Sequence, residues 1–323
     1  MISLLELFGG IGAPRAALRN IGADFESYGY VEIDKHAVDS YNAIFDEKYK
    51  PISVRQYQAL NGIDILFHGS PCQDFSICGN NAGGYYGSGT RSSLLWETLR
   101  IIFDVYKKPK IVIWENVENV LSRKHKHVFY DYLYEMEELG YKSYYSLLNA
   151  MDFGVPQSRK RIFVVSVLKT FSKKPFDFNS MERNEMRDVY SIIDRFDYMP
   201  CHVIVSQSML SKIKPGVYDK GSIDSLTEIN KHSMTISTRQ DRCPNAGIVK
   251  IGDKKYRLLT EKECWKLMGF SDNDYYKAES ANPRKNNKKN GILYKQAGNS
   301  IVVPILESMF KAIINEYFEG TLK

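Results

Sequence analysis

The sequence predicts an α/β fold: a Rossmann-like, doubly wound, mostly parallel sheet joined to a second, smaller region of irregular structure. Three observations carry this. Strand-like and helix-like patterns alternate through residues 1–170, as successive βαβ units do. The first strand pattern runs straight into Gly9-Gly10-Ile11-Gly12, with Pro14 opening a helix, which is the strand–turn–helix arrangement of nucleotide-binding sheets. Beyond residue 170 the alternation gives way to polar connections and short apolar pieces.

The predicted strands are Ile2–Phe8, Ser27–Ile33, Ile63–His68, Ile111–Glu115, Tyr144–Leu148 and Ile162–Val167. Most are short, near-continuous apolar runs, the signature of strands covered on both faces. Helical spacing falls between them at Pro14–Ile21, Ala37–Phe45, Leu94–Tyr106 and Val128–Leu139. Right-handed crossovers through these helices give a parallel sheet with helices on both sides. Later, strand-like pieces occur at Val203–Val205, Met234–Ser237 and Gly247–Ile251, and helices return at Thr260–Met268 and Val303–Phe318. A length of 323 residues suits two domains. The expected division is 1–170 plus 291–323 for the sheet domain and 171–290 for the second.

A hydrophobic content of 43% excludes a disordered chain. No apolar stretch approaches the roughly 18 residues of a membrane span, and Met1–Phe8 lacks the basic leader of a signal peptide. The five cysteines are odd in number and scattered, without metal-ligand spacing. The expectations are therefore no metal, no disulfide framework, no membrane and a cytoplasmic setting. The net charge of +6 is uneven: residues 171–296 carry +7 and the remainder −1. A basic part beside a neutral one suits a polyanionic partner, the plain alternative being a solvated basic surface.

Two stretches point to chemistry. Gly69-Ser70-Pro71-Cys72-Gln73 follows the third strand, so a cysteine stands at a strand's carboxyl end, where open α/β sheets hold their sites. A thiolate there is a strong nucleophile. In the glycine turn, Arg15 stands where a dinucleotide fingerprint has another glycine, which disfavours a pyrophosphate. Glu32 lies about 20 residues on, placed for ribose hydroxyls. A nucleoside cofactor without pyrophosphate fits, and S-adenosylmethionine is the obvious one.

Together these residues resemble the cytosine-C5 DNA methyltransferases, and the resemblance runs through nearly the whole chain. Phe8-Gly9-Gly10-Ile11-Gly12 resembles the family's cofactor turn, Glu32-Ile33-Asp34 its ribose and adenine contacts, and Pro71-Cys72-Gln73 its nucleophile motif. Glu115-Asn116-Val117 resembles the base-contacting motif and Gln157-Ser158-Arg159-Lys160-Arg161 the Gln-x-Arg-x-Arg signature. Arg257-Leu258-Leu259-Thr260 with Glu263 and Gly269-Phe270 resembles a late helix motif, and Gln296-Ala297-Gly298-Asn299-Ser300 the last motif.

The resemblance implies the S-adenosylmethionine-dependent methyltransferase fold and a partner of double-stranded DNA. It implies a catalytic set of Cys72, Glu115, Arg159 and Arg161. Cofactor contacts would come from Phe8, Gly10, Ile11, Gly12, Glu32, Ile33, Ile52, Pro71, Leu94, Asn299 and Ser300, with S-adenosylhomocysteine as product. Attack of the Cys72 sulfur on cytosine C6 makes C5 electron-rich enough to take a methyl group. Glu115 would hold N3 and the exocyclic amine. Because duplex DNA hides C5 and C6, the base must be flipped, and the segment 79–89, with five glycines in eleven residues, matches the family's mobile loop.

Gln73 and Ser76 are expected at the DNA. In the variable segment 171–256, Arg239, Gln240 and Arg242 are the candidate base readers, since arginine reads guanine and glutamine adenine; phosphate contact is the other reading. The stretch Lys50-Pro51-Ile52-Ser53 lacks the acid the family carries before its adenine-lining residue, and the basic loop 284–289 is an addition. Expected partners include a separately encoded restriction endonuclease, and a monomer is the default state. Two alternatives stay open: the family's tRNA-directed branch, whose Cys-Phe-Thr signature neither Cys201-His202 nor Cys243-Pro244 matches, and a catalytically silent DNA-binding regulator.

Overall fold

A computed structural model describes residues 1–58, 61–70, 94–221 and 224–321. Pro71, Cys72, Gln73, Ser76 and the glycine-rich segment 79–89 lie outside the described residues.

The chain begins with β1 (Ile2–Leu7), α1 (Ala13–Asn20), β2 (Phe25–Val31), α2 (Lys35–Phe45) and β3 (Ile65–His68). It continues through α3 (Leu95–Asp104), β4 (Ile111–Val117), α4 (Lys126–Glu138), β5 (Tyr141–Asn149), the two-residue β6 (Gln157–Ser158) and β7 (Lys160–Leu168). Among the described residues the main sheet has six strands in the order β2-β1-β3-β4-β7-β5. β1 pairs in parallel with β2 and with β3, and β3 with β4. The chain thus steps to one side of β1 and returns on the other, so the crevice outside the ends of β1 and β3 is a topological switch point.

β7 departs from the uniformly parallel sequence of crossovers. It runs antiparallel to both β4 and β5. Only the ten residues 150–159 separate β5 from β7, and a parallel return needs a crossover of a dozen or more, usually a helix. As a result β7 begins, rather than ends, at the edge of the sheet that carries the switch point.

Side chains on the central strands alternate between two apolar layers, as the pleat requires. Ile2, Leu4, Ile65, Phe67, Ile111, Ile113, Phe163 and Val165 share one layer with α1 and α9. Leu5, Leu7, Leu66, Val112, Trp114 and Val164 share the other with α3 and α4. Burying each such side chain contributes roughly 1.5–3 kcal/mol.

The later region contains α5 (Gln207–Leu210), β8 (Ile213–Tyr218), β9 (Leu226–Glu228), β10 (Ser233–Met234), β11 (Ile248–Gly252) and β12 (Lys255–Leu258). β8, β9, β11 and β12 form a second sheet over a small core of Ile204, Leu226, Ile248, Tyr256 and Leu258. β10 instead pairs in parallel with β6. The expected strand at Val203–Val205 is a single bridge from Val203 to Arg257.

The chain closes with α6 (Glu261–Leu267), α7 (Asp272–Ala281), α8 (Gly291–Asn299) and α9 (Val303–Tyr317). α6 and α7 open on capping boxes, Thr260 with Glu263 and Ser271 with Asp274. α7 was not expected because its sequence lacks a clear apolar stripe; Ser271 and Asp274 were its one legible signal. Arg19 of α1 holds Asp274 with two nitrogens at 2.9 and 2.8 Å, and Asn282 bonds the His36 carbonyl and Ser40 of α2. Leu259, Trp265, Met268 and Tyr275 join the main core. These contacts pack α6 and α7 against the main core and the helices of the first half.

Residues Gly291–Tyr317 are long and apolar enough to cross a membrane by length and composition, which the sequence reading did not anticipate. They are two helices broken at Ser300–Val302 and mostly buried against α1 and α6, as core helices are.

Candidate active site

The carboxyl ends of β1, β3 and β4 and the start of β7 enclose a cleft of about 520 Å³. Its walls include Phe8, Gly10, Ile11, Glu32, Ile33, Ile52 and Leu94, then Glu115, Arg159, Arg161, Asn299 and Ser300. The structure thus gathers every described catalytic and cofactor candidate except Gly12. Gly12 serves the turn itself: it caps α1 at φ 79°, and a Cβ there would stand 2.4 Å from the Phe45 ring and 2.7 Å from Tyr41. Phe8 also adopts a left-handed φ of 55°, a conformation costing about 1–3 kcal/mol that tends to persist at functional sites.

Glu32 ties the glycine turn to the next strand. One carboxylate oxygen accepts from the Gly10 N–H at 3.1 Å, and the other from Ile33 and Asp34, both at 2.8 Å. Burial pushes the carboxyl up, while the N–H groups of Asp34, Gly10 and Ile33 pull it back. Of about four acceptor positions on a carboxylate, three are used, leaving one toward the cleft. Asp34 caps α2 and meets Lys295 of α8 at 2.5 Å. Burial works to raise its carboxyl, but Lys295 and the His36 N–H hold it below the usual range.

Gln296 docks α8 on α2 through the His36 carbonyl and Ser40. In this way the last helices supply the far wall of a cleft begun at residue 8. Ile33, 70% exposed, and the half-buried Ile52 present apolar surface to the cleft. One free acceptor on Glu32 and these apolar side chains fit a ribose and a flat base.

At the other end of the cleft, Glu115 Oε1 pairs with Arg161 Nε at 3.1 Å, their side chains 12% and 14% exposed. The antiparallel register that sets Val117 opposite Arg161 brings this about. Burial raises the Glu115 carboxyl, opposed by the charges of Arg161 and Arg159. Arg159 is buried and donates to the carbonyls of Ile236, Gly298 and Ser300 at 3.0, 3.1 and 2.8 Å. Its terminal nitrogens are spent on backbone, so it holds the walls together.

How Ser70 is held could not be read from the sequence. Ser70, the last described residue before Pro71, accepts from Trp114 Nε1 at 3.0 Å and Asn116 Nδ2 at 3.3 Å. Asn116 lies within the quoted Glu-Asn-Val motif, yet nothing in the spacing revealed its partner. His68, two residues earlier, is fully buried with its Nε2 3.0 Å from the Tyr132 hydroxyl. Burial pushes its imidazole down to about 3, so it is neutral near pH 7. The folded state binds fewer protons there than an unfolded histidine with a pKa near 6.5, so stability falls as pH drops from about 6.5 toward 3. The His68 imidazole proton resonances should stay fixed between about pH 5 and pH 8; a midpoint near 6.5 in the folded protein would contradict this.

Among the base-reading candidates, Arg239 and Arg242 are exposed, but Gln240 is not. Its side chain is fully buried and its Oε1 accepts from the Ala246 N–H, so it shapes the turn instead of facing a base. The basic loop 284–289 is partly spent internally: Arg284 pairs with Glu261 at 3.3 Å, and Lys289 bonds the Asp241 carbonyl. Lys285 and Lys288 remain exposed. Among the described residues no group of acidic, histidine and cysteine side chains suits a metal ion.

The C-5 cytosine-specific DNA methylase profile matches residues 2–315. The chain belongs to that family. This methylase is 30% identical to the type II methyltransferase M.HhaI of Haemophilus parahaemolyticus, over 95% of its own length and 92% of the relative's. It is 35% identical to M2.ScrFI of Lactococcus lactis subsp. cremoris, over 79% and 67%. The crystal structure of S. pombe Dnmt2 methyltransferase superposes with a TM-score of 0.72 at 17% identity, covering 98% of this chain and 99% of that one, which shows a shared fold. The chain is accordingly a DNA cytosine-C5 methyltransferase of an S-adenosylmethionine-dependent family.

Proposed function

We propose that this methylase modifies C5 of a cytosine flipped out of a short, specific duplex sequence, with Cys72 attacking C6. The observation that carries the reading is the convergence on one sheet edge of the Glu115–Arg161 pair, the anchored Ser70 that leads into Pro71-Cys72, and the Glu32 turn. Bound in the cleft, S-adenosylmethionine supplies the methyl group. Glu32 would hold its ribose, Phe8, Ile33 and Ile52 its adenine, and Asn299 and Ser300 would close over it.

The chain's own residues do the rest. Glu115, kept in place by Arg161, faces N3 and the exocyclic amine of the flipped base and shares a proton with N3, which offsets the negative charge that enters the ring as the Cys72–C6 bond forms. A base then removes the C5 proton and the thiolate leaves, restoring the ring. Flipping costs a few kcal/mol, which Gln73 and Ser76, together with the exposed Arg239 and Arg242, help to offset by contacts to the opened duplex. We place target recognition in the second sheet and the segment 235–242. One cleft suffices for the reaction, so the protein acts as a monomer, in the cytoplasm, in restriction–modification beside a separate endonuclease or in phage self-protection.

The test is base-resolution mapping of 5-methylcytosine on unmethylated plasmid incubated with the protein and S-adenosylmethionine. A single short motif methylated at one cytosine is the expected result. Unmodified DNA alongside methylated tRNA would move the reading to the tRNA-directed branch.

A further inference from the structure

Two segments that serve different ligands meet across one short strand. Gln157 and Arg159 are two apart on extended backbone and so project to the same side. Between them they hold Ile236 from both directions. Gln157 Oε1 accepts from the Ile236 N–H at 3.1 Å, and Arg159 Nη1 donates to the Ile236 carbonyl at 3.0 Å. Gln157 is fully buried, and its Nε2 donates to the Leu267 carbonyl at 2.8 Å, which fixes its amide against α6. The other terminal nitrogen of Arg159 donates to the carbonyls of Gly298 and Ser300, which flank Asn299 in the cleft wall.

The segments also touch directly. A Cβ on Gly298 would stand 2.4 Å from the Ser237 carbonyl carbon and the Thr238 nitrogen. No side chain lies between these two backbones to absorb a shift. Residues 236–238 therefore cannot move by much without breaking the Arg159 bonds or carrying 298–300 with them.

We propose that Gln157 and Arg159 form a bracket that makes filling of the cofactor cleft and engagement of DNA favour one another, with Gln157 as a positioning residue that touches neither ligand. This rests on the reading that 235–242 meets DNA and 296–300 walls the cofactor cleft. A ligand that orders either segment orders the other, and the coupling must be reciprocal.

The test measures affinity for S-adenosylhomocysteine by calorimetry, with and without a saturating duplex that carries the motif found by mapping. The proteins are wild type, Gln157→Met, which keeps the side chain's length without its amide, and Arg159→Lys, which keeps the charge but not three carbonyl contacts. The wild type should bind the probe at least about fivefold more tightly on DNA, and DNA more tightly by the same factor with the probe present. In Gln157→Met the affinity without DNA should stay within about twofold of wild type while the coupling falls below about twofold. Arg159→Lys should lose the coupling as well.

Independent binding of the two ligands by wild type, or intact coupling in Gln157→Met, overturns the bracket and leaves the functional reading standing. Weakening of probe affinity without DNA by as much as the coupling would make Gln157 merely structural, and also overturns it. If Gln157→Met does not fold, Arg159→Lys decides; if neither folds, the pair is a folding element and the proposal falls. A wild type that binds neither ligand refutes the functional reading itself.

Discussion

Cys72→Ser should reduce methyl transfer by at least about 10³-fold and leave no covalent adduct on duplex containing 5-fluorocytosine. A serine hydroxyl is almost wholly protonated at neutral pH, whereas a thiol near its free pKa of about 8.5 supplies some thiolate. Fluorine at C5 cannot leave as a proton does, so a thiolate that has attacked C6 remains attached after methyl transfer. Denaturing gels of wild type with this duplex and S-adenosylmethionine should show one shifted band. Among the described cysteines, Cys264 is fully buried, with its thiol pushed well up by burial. Cys243 is exposed, so Cys243→Ser serves as the control and should trap as wild type does. Trapping by Cys72→Ser would remove Cys72 from the reaction.

Glu115→Gln should lower the single-turnover rate by about 10²–10⁴-fold while binding of S-adenosylhomocysteine changes little. The amide is nearly the same size and can still accept from the exocyclic amine. It has no acidic proton to share with N3, where negative charge gathers as the Cys72 thiolate adds its electron pair to C6. The substitution also leaves Arg161 without the carboxylate 3.1 Å from its Nε, so the guanidinium is no longer held in place beside the base. Quenched-flow measurement with saturating DNA separates this loss of rate from a loss of binding. A rate within tenfold of wild type, about 1.4 kcal/mol, would show that the carboxylate is not the group that stabilises the adduct.

Much of this site was legible in the sequence because its residues stand at strand ends. A glycine turn after β1, Glu32 after β2 and Glu115 at the end of β4 are local patterns, and a parallel sheet brings such ends together by topology alone. The two arginines were legible as a pair two apart. What their guanidinium groups touch was not, since Arg159 finds its partners at Ile236 and Gly298, 77 and 139 residues away. Ser70 and Asn116 escaped notice for the same reason. Gln240 was misread because an amide in a polar stretch gives no sign that its turn folds inward over Ala246. The direction of β7 could have been inferred from the shortness of the connection before it. α7 is not legible in the sequence because it is held by its partners on α1 and α2 rather than marked by its own periodicity.

The cleft also has a timetable. Its first wall is made at Phe8 and its last at Ile301, nearly the whole chain apart. On a ribosome adding about 5–20 residues per second, that interval lasts on the order of 15 s to 1 min. During it the central strands can already exist, but the wall fixed by Lys295 to Asp34 and by Gly298 and Ser300 to Arg159 does not. A nascent or prematurely terminated chain that stops short of α8 therefore has no closed cleft. Closure of the cleft thus waits on helices that are among the last parts of the fold to be made.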